Sequence, residues 1–242
     1  MRIAMWSGPR NLSTAMMYSF GARSDCAVWD EPFYAAYLAK TGLDHPMRVE
    51  ILTAGESDAD VVLDRCLGEI PDNKSVFYQK HMTHHMVPDF GLHWISQMTN
   101  VFLIREPAKV IASYNAKREN PNLEDIGFMQ QAEIFDQIAN ETGKVPAVID
   151  SDDILVNPEE MLRKLCDHIN LDFQESMLHW PKGGHKDDGA WASHWYKSVW
   201  ESTEFSKPKA TETILSPAGA ALQEEARPYY AMLYKHRISL TG

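Results

Sequence analysis

Three clusters of residues have the types and spacing to act on an anion. The first is Gly8-Pro9-Arg10-Asn11-Leu12-Ser13-Thr14, which follows the apolar run Ile3–Trp6 and precedes a helical pattern. In a strand–turn–helix, successive backbone N–H groups aim inward and the positive helix end faces the ligand. Arg10 adds a full charge, and Ser13 and Thr14 add hydroxyl donors. The Gly-Lys-Ser/Thr ending of a triphosphate loop, with its lysine and magnesium-holding hydroxyl, is missing. The same residues also fit an ordinary strand-to-helix turn capped by Ser or Thr. The second cluster is Arg105, at the end of the run Val101–Ile104, with Pro107 opening the next helix and Ser113 eight residues on. The third holds proton acceptors: Asp30 and Glu31 after Ala27–Trp29, and His81 after Val76–Tyr78. Either a carboxylate or an imidazole can take the proton of an attacking hydroxyl. His81 and His85 are the one i, i+4 pair among His81, His84 and His85, and no Glu lies between them, so a metal site is not expected.

These clusters need elements that bring them together. Five short apolar runs, Ile3–Trp6, Ala27–Trp29, Val76–Tyr78, Val101–Ile104 and Ala147–Ile149, are continuous rather than alternating. That pattern suits strands covered on both faces, as in a parallel sheet. Helical patterns separate them at Ser13–Ala22, Asp58–Glu69, Lys109–Lys117, Glu124–Glu141 and Glu159–Ile169. Asn157 as cap, then Pro158, Glu159 and Glu160, marks the start of the last of these. A final helix is expected over Pro217–His236, with Ser216 as cap. Strands alternating with helices predict an α/β fold: a single domain over residues 1–242, with a central parallel sheet flanked by helices. Arg10 and Arg105 then sit at the carboxyl edge, where open α/β sheets bind ligands. The stretch Trp180–Lys209, rich in Gly, Asp, Lys and Trp, reads as a lid or a surface loop.

The bulk composition narrows the partners. With 242 residues, 44% of them apolar, the chain can bury one sizeable core. A net charge of -11 disfavours nucleic acid, heparin-like sugars and anionic membranes. A locally basic pocket for a small anion is compatible with it. Cys26, Cys66 and Cys166 are odd in number and far apart, which suggests neither a disulfide framework nor a zinc site and fits a cytoplasmic setting. No apolar run approaches the roughly 20 residues of a membrane span. The polar loop beginning at Ser7 argues against a signal peptide.

On these residues the chain resembles the sulfotransferases that use 3'-phosphoadenosine 5'-phosphosulfate (PAPS). "PRNLSTA" at Pro9–Ala15 is similar to that family's 5'-phosphosulfate loop, and "REPAKVIAS" at Arg105–Ser113 to its 3'-phosphate motif. "VIDSDDILVNPEEMLRKLCDHINLDF" resembles the family's late strand, acidic turn and helix. The resemblance runs from residue 1 to about residue 175. In two places this chain departs from the common pattern: Arg10 stands where many members have lysine, and Leu12 where many have glycine.

The resemblance implies a P-loop NTPase-like fold and sulfuryl transfer from PAPS, with 3'-phosphoadenosine 5'-phosphate (PAP) as product and no metal. It implies that Gly8 to Thr14 hold the phosphosulfate, and that Arg105 and Ser113 hold the 3'-phosphate. Lys182 or Lys186, in a basic glycine-containing loop, would close on the nucleotide. Glu31 is the leading base and His81 the second. The aromatic-rich late segment, with Trp191, Trp195 and Trp200, suggests a small neutral or cationic alcohol as acceptor. Two other readings stay open: a small-molecule kinase, and a nucleotide-binding module without catalysis.

Overall fold

A computed structural model describes residues 1–115, 121–207 and 213–240. The five apolar runs form five strands: β1 Arg2–Ser7, β2 Cys26–Asp30, β3 Val76–Met82, β4 Thr99–Ile104 and β5 Ala147–Asp150. All pair in parallel, in the order β2-β3-β1-β4-β5. The helices are α1 Ser13–Gly21, α2 Tyr34–Thr41, α3 Arg48–Ala54, α4 Ala59–Leu67, α5 Pro107–Asn115, α6 Leu123–Ile126, α7 Phe128–Thr142, α8 Ser151–Val156, α9 Pro158–His168, α10 Ala192–Trp195, α11 Lys197–Trp200 and α12 Pro217–Tyr234.

Strand parity assigns the side chains to two faces. Ile3, Met5, Val28, Tyr78, Leu103 and Ile149 pack with α1 and α9. Ala4, Trp6, Phe102, Ile104 and Val148 pack on the other face with α4, α7 and α12. Burial on both sides explains the continuous apolar runs. The chain leaves β1 toward β2 on one side and leaves β4 toward β5 on the other. The carboxyl ends of β1 and β4 therefore flank a crevice at the point where the strand order reverses.

The helix starts follow local chemistry. The Asp58 carboxylate accepts from the Asp60 and Val61 N–H groups, Asn157 caps α9, and Ser216 caps α12. The stretch expected as one helix from Glu124 to Glu141 is two helices, broken by Gly127 at φ 70°. Helix α5 begins at Pro107 rather than Lys109, and positions 116 and 117 of the expected helix lie outside the described residues. The late segment is not wholly irregular. It carries α10 and α11, while positions 208 and 209 lie outside the described residues.

Candidate active site

The carboxyl edge of the sheet opens into a cleft of about 640 Å³. Pro9 to Thr14, Arg105 and Ser113 line it, as do Glu31 and Lys80. One end is built for an anion. Arg10 takes a left-handed backbone, φ 57°, directly after β1, a conformation that costs a non-glycine residue about 1 kcal/mol or more. Its Nε donates to Ser113 Oγ at 3.0 Å. Arg105 Nη1 donates to the Arg10 carbonyl at 2.7 Å, while its buried Nε has no hydrogen-bond partner among the described residues. Neither guanidinium has a carboxylate within ion-pair distance among those residues. Burial, and for Arg10 also the charge of Arg105, pushes both pKa values below the usual arginine range. Asp152, Asp150 and Glu106 oppose the fall at Arg105 from beyond ion-pair distance, and two partly buried cations without a carboxylate in direct contact favour a bound anion. The N-terminus of α1 faces the same space, with Ser13 and Thr14 in its first turn.

Two residues of the loop serve it from within. The Asn11 carboxamide donates to the Leu103 carbonyl at 2.7 Å and accepts from the Ser151 hydroxyl. Its side chain thus pins the loop to the ends of β4 and β5, and its backbone is what remains for a ligand. Gly8 is buried against the turn between α6 and α7, and a Cβ there would come within 2.5 Å of the Ile126 carbonyl oxygen. It shapes the loop without lining the cleft.

The other end holds a buried charge cluster. Asp30 and Lys80 are register partners on β2 and β3, so their side chains share a face. Lys80 Nζ donates to Asp30 Oδ1 at 2.9 Å, to Glu31 Oε1 at 2.8 Å and to the Tyr196 hydroxyl at 2.5 Å. Glu31 has a left-handed φ of 41° and lines the cleft. Its Oε2 lies 3.9 Å from His85 Nε2, beyond hydrogen-bond range. Burial raises the Glu31 pKa and Asp30 adds to that, while Lys80 opposes it. A carboxylate with raised basicity, facing a cleft, has the properties of a general base.

Three of the sequence expectations fall elsewhere. His81 is one residue beyond Lys80 on β3, so its ring lies on the opposite face of the sheet. It stacks on Trp6 at 4.6 Å, contacts Gln79 at 3.1 Å, and is 1% exposed. Burial lowers its pKa to about 3, and it does not line the cleft. Lys182 is exposed and away from the cleft. Lys186 is also outside, on the surface, ion-paired to Asp72 at 3.2 Å. The lysines that do line the cleft are Lys80, Lys109 and Lys207, none of which the motifs singled out. A signal for Lys80 was present: a lysine inside an otherwise apolar strand needs a buried partner. No group of three or more His, Cys, Asp or Glu is placed to hold a metal among the described residues.

Residues 1–237 match a family model described as Sulfotransferase domain. The chain is 38% identical to Branched-chain-amino-acid aminotransferase-like protein 1 of Arabidopsis thaliana, over 97% of its own length and 42% of that protein. It is 36% identical to protein 2 of the same name and organism, over 98% of itself and 43% of that protein. The chain thus spans less than half the length of these curated relatives. Among solved structures it is similar to the Sulfotransferase Domain from the Curacin Biosynthetic Pathway, with 16% identity, a TM-score of 0.53 and 96% of each chain covered. It is also similar to the Sulfotransferase from Alicyclobacillus acidocaldarius, with 12% identity and a TM-score of 0.56 over 98% of this chain and 96% of that one. These two likenesses show a shared P-loop-like fold. The family match runs through both arginine loops, the Lys80 cluster and the last helix, and it is on that match that the chain belongs to the sulfotransferase family.

Proposed function

We propose that this chain transfers a sulfuryl group from PAPS to the hydroxyl of a small neutral or cationic acceptor. The observation that carries the reading is the polarity of a single cleft. Arg10 and Arg105, without carboxylate partners among the described residues, stand at one end, and a cleft-facing carboxylate, Glu31, stands at the other. The orphaned Arg105 Nε supports the fit of a further anion. In this reading Arg105 and Ser113 hold the 3'-phosphate. Arg10, Ser13, Thr14 and the loop N–H groups hold the phosphosulfate. The donor supplies an already electrophilic sulfuryl group, so positioning and electrostatics carry most of the catalysis. Glu31 Oε2 takes the acceptor's proton as its oxygen attacks sulfur, and Arg10 with the α1 N-terminus stabilises charge on the peripheral oxygens. Tyr34, Trp191, Trp195 and Tyr196 line the acceptor end. The setting we assign is cytoplasmic: Cys26, Cys66 and Cys166 are buried and unpaired. Among the described residues no helix is long and apolar enough to cross a membrane.

The test is a thermal-shift series joined to a labelled-sulfate acceptor screen. Stabilisation by PAP without magnesium, together with sulfate transfer to a small alcohol, is the expected result. Stabilisation by magnesium-ATP alone would favour a kinase. Binding of PAP with no turnover on any acceptor would favour a non-catalytic module.

A further inference from the structure

Adjacent carboxylates at one site compete for the same proton, and the late segment resolves that competition here. Residues 188–196 reach back across the sheet edge and place two groups against Asp30 and Lys80, with a third bracing one of them. Gly189 N donates to Asp30 Oδ2 at 3.1 Å. Trp191 Nε1 donates to the Tyr196 hydroxyl at 2.9 Å. The Tyr196 hydroxyl lies 2.8 Å from Asp30 Oδ2, 3.0 Å from Asp30 Oδ1 and 3.2 Å from Glu31 Oε1.

Counting protons decides how these contacts are used. A lysine ammonium has three N–H donors, and Lys80 points them at Asp30, Glu31 and Tyr196. The Tyr196 oxygen already accepts from Lys80 and Trp191, so its single proton goes to a carboxylate. Asp30 Oδ2 is the nearer one. Asp30 then accepts from Lys80, Tyr196 and Gly189, and both of its carboxylate oxygens are taken up by donors. Glu31 accepts from Lys80 alone through Oε1, and its Oε2 takes no hydrogen bond among the described residues.

We infer that Tyr196 is a positioning residue for the proton transfer: by tying Lys80 to Asp30 it saturates Asp30 with donors and leaves Glu31 as the basic carboxylate. This rests on the sulfotransferase reading above for the identity of the proton's donor. The groups that face Glu31 are Asp30 from β2, Lys80 from β3, His85 from the turn after β3, and Tyr196. Tyr34 of α2 stacks on His85 at 4.4 Å. Burial holds His85 neutral by lowering its pKa, which leaves Tyr196 as the uncharged donor that distinguishes the two carboxylates. Neither its type nor its spacing marked Tyr196 in the sequence.

The test compares Tyr196→Phe with Asp188→Ala. Asp188 docks the same segment elsewhere, accepting from Tyr18 OH at 2.7 Å and Trp200 Nε1 at 2.9 Å. It therefore reports loosening of the segment alone. Tyr196→Phe should lower kcat by about 10–100-fold, with the PAP-induced thermal shift unchanged. The acid limb of its kcat–pH profile should move down by about one pH unit, a tenfold change in proton affinity, because Lys80, no longer tied to Asp30 through Tyr196, is freer to pair with Glu31 and makes it less basic. The Glu31 carboxyl, followed by NMR in protein carrying ¹³C-labelled glutamate, should titrate downward by the same amount. Asp188→Ala should lower the melting temperature and leave both the limb and the titration in place. If Tyr196→Phe behaves as Asp188→Ala does, the role is structural and the inference is overturned. The NMR readout does not depend on turnover. A shifted titration in a protein that sulfates nothing would sustain the positioning role and sink the sulfotransferase reading.

Discussion

Glu31 and Asp30 are neighbours in sequence with unequal surroundings. Asp30 is saturated with donors, whereas Glu31 keeps one carboxylate oxygen without a partner among the described residues. In the proposed reaction Glu31→Gln keeps the shape and removes the basicity. Turnover should fall roughly 10²–10⁴-fold with PAP affinity nearly unchanged, as steady-state kinetics and calorimetry would report; near-normal turnover would remove Glu31 from the chemistry. Arg105→Ala should weaken PAP binding by about 1.5–3 kcal/mol, the worth of a charge-assisted contact. An analogue without the 3'-phosphate should lose much less, and equal losses would detach Arg105 from that phosphate. A third residue gives a stability prediction. Asp150, at the end of β5, accepts from Tyr230 OH and Asp152 N, each at 2.8 Å, and burial pushes its carboxyl up to about 6. The folded chain holds this proton more tightly than the unfolded chain does. The residue's contribution to stability is therefore full below its ordinary value of 3.8 and is lost as pH rises through about 6. Relative to Asp150→Asn, the natural protein should gain on the order of 1–3 kcal/mol between pH 7 and pH 4. Urea unfolding of both proteins at the two pH values measures this, and parallel curves would contradict it.

At the scale of elements, the loop between β1 and α1 depends on what lies behind it. Gly8 sits against the Ile126 carbonyl, Thr83 Oγ1 donates to the Gly127 carbonyl at 3.0 Å, and Asn11 ties the loop to β4. A methyl group at Gly8 has nowhere to go without moving the loop or the α6–α7 turn. Gly8→Ala should lower the melting temperature and weaken PAP binding together, since overpacking of this kind costs about 1–3 kcal/mol. Unchanged binding with lowered stability would mean that the turn yields and the loop does not. The late segment shows the same dependence in reverse. Its two short helices have little propensity to stand alone, and the Tyr196 and Asp188 contacts hold them to the sheet edge.

At the scale of the whole molecule, the charge is uneven. The chain carries -11 overall, yet Arg10, Arg105 and Lys109 converge on one end of the cleft. A small anion can reach that end, while a long polyanion must also lie along an acidic surface. We expect small alcohols to be sulfated and highly sulfated polysaccharides to be poor acceptors. The labelled-sulfate screen checks this, and turnover confined to the polysaccharide would reverse the expectation.

The strand–helix alternation, the five buried strands and the starts of about half the helices were legible in the sequence, because continuous apolar runs, caps and prolines act over a few residues. The two arginine loops were legible for the same reason: each is a local strand-end pattern, and a parallel sheet brings strand ends to one edge. The position of His81 was not legible, since a one-residue step along β3 decides between the cleft and the core, and only pairing with β1 and β2 fixes that register. The resemblance implied that Lys182 or Lys186 closes on the nucleotide, but the path of the late segment turns them to the surface. That same path delivers Tyr196 to a carboxylate 166 residues earlier. A contact over that separation leaves no periodic or local trace in the sequence. It exists because a buried lysine with three N–H donors and two carboxylates need donors and acceptors beyond those their own strands supply, and only the folded chain brings them.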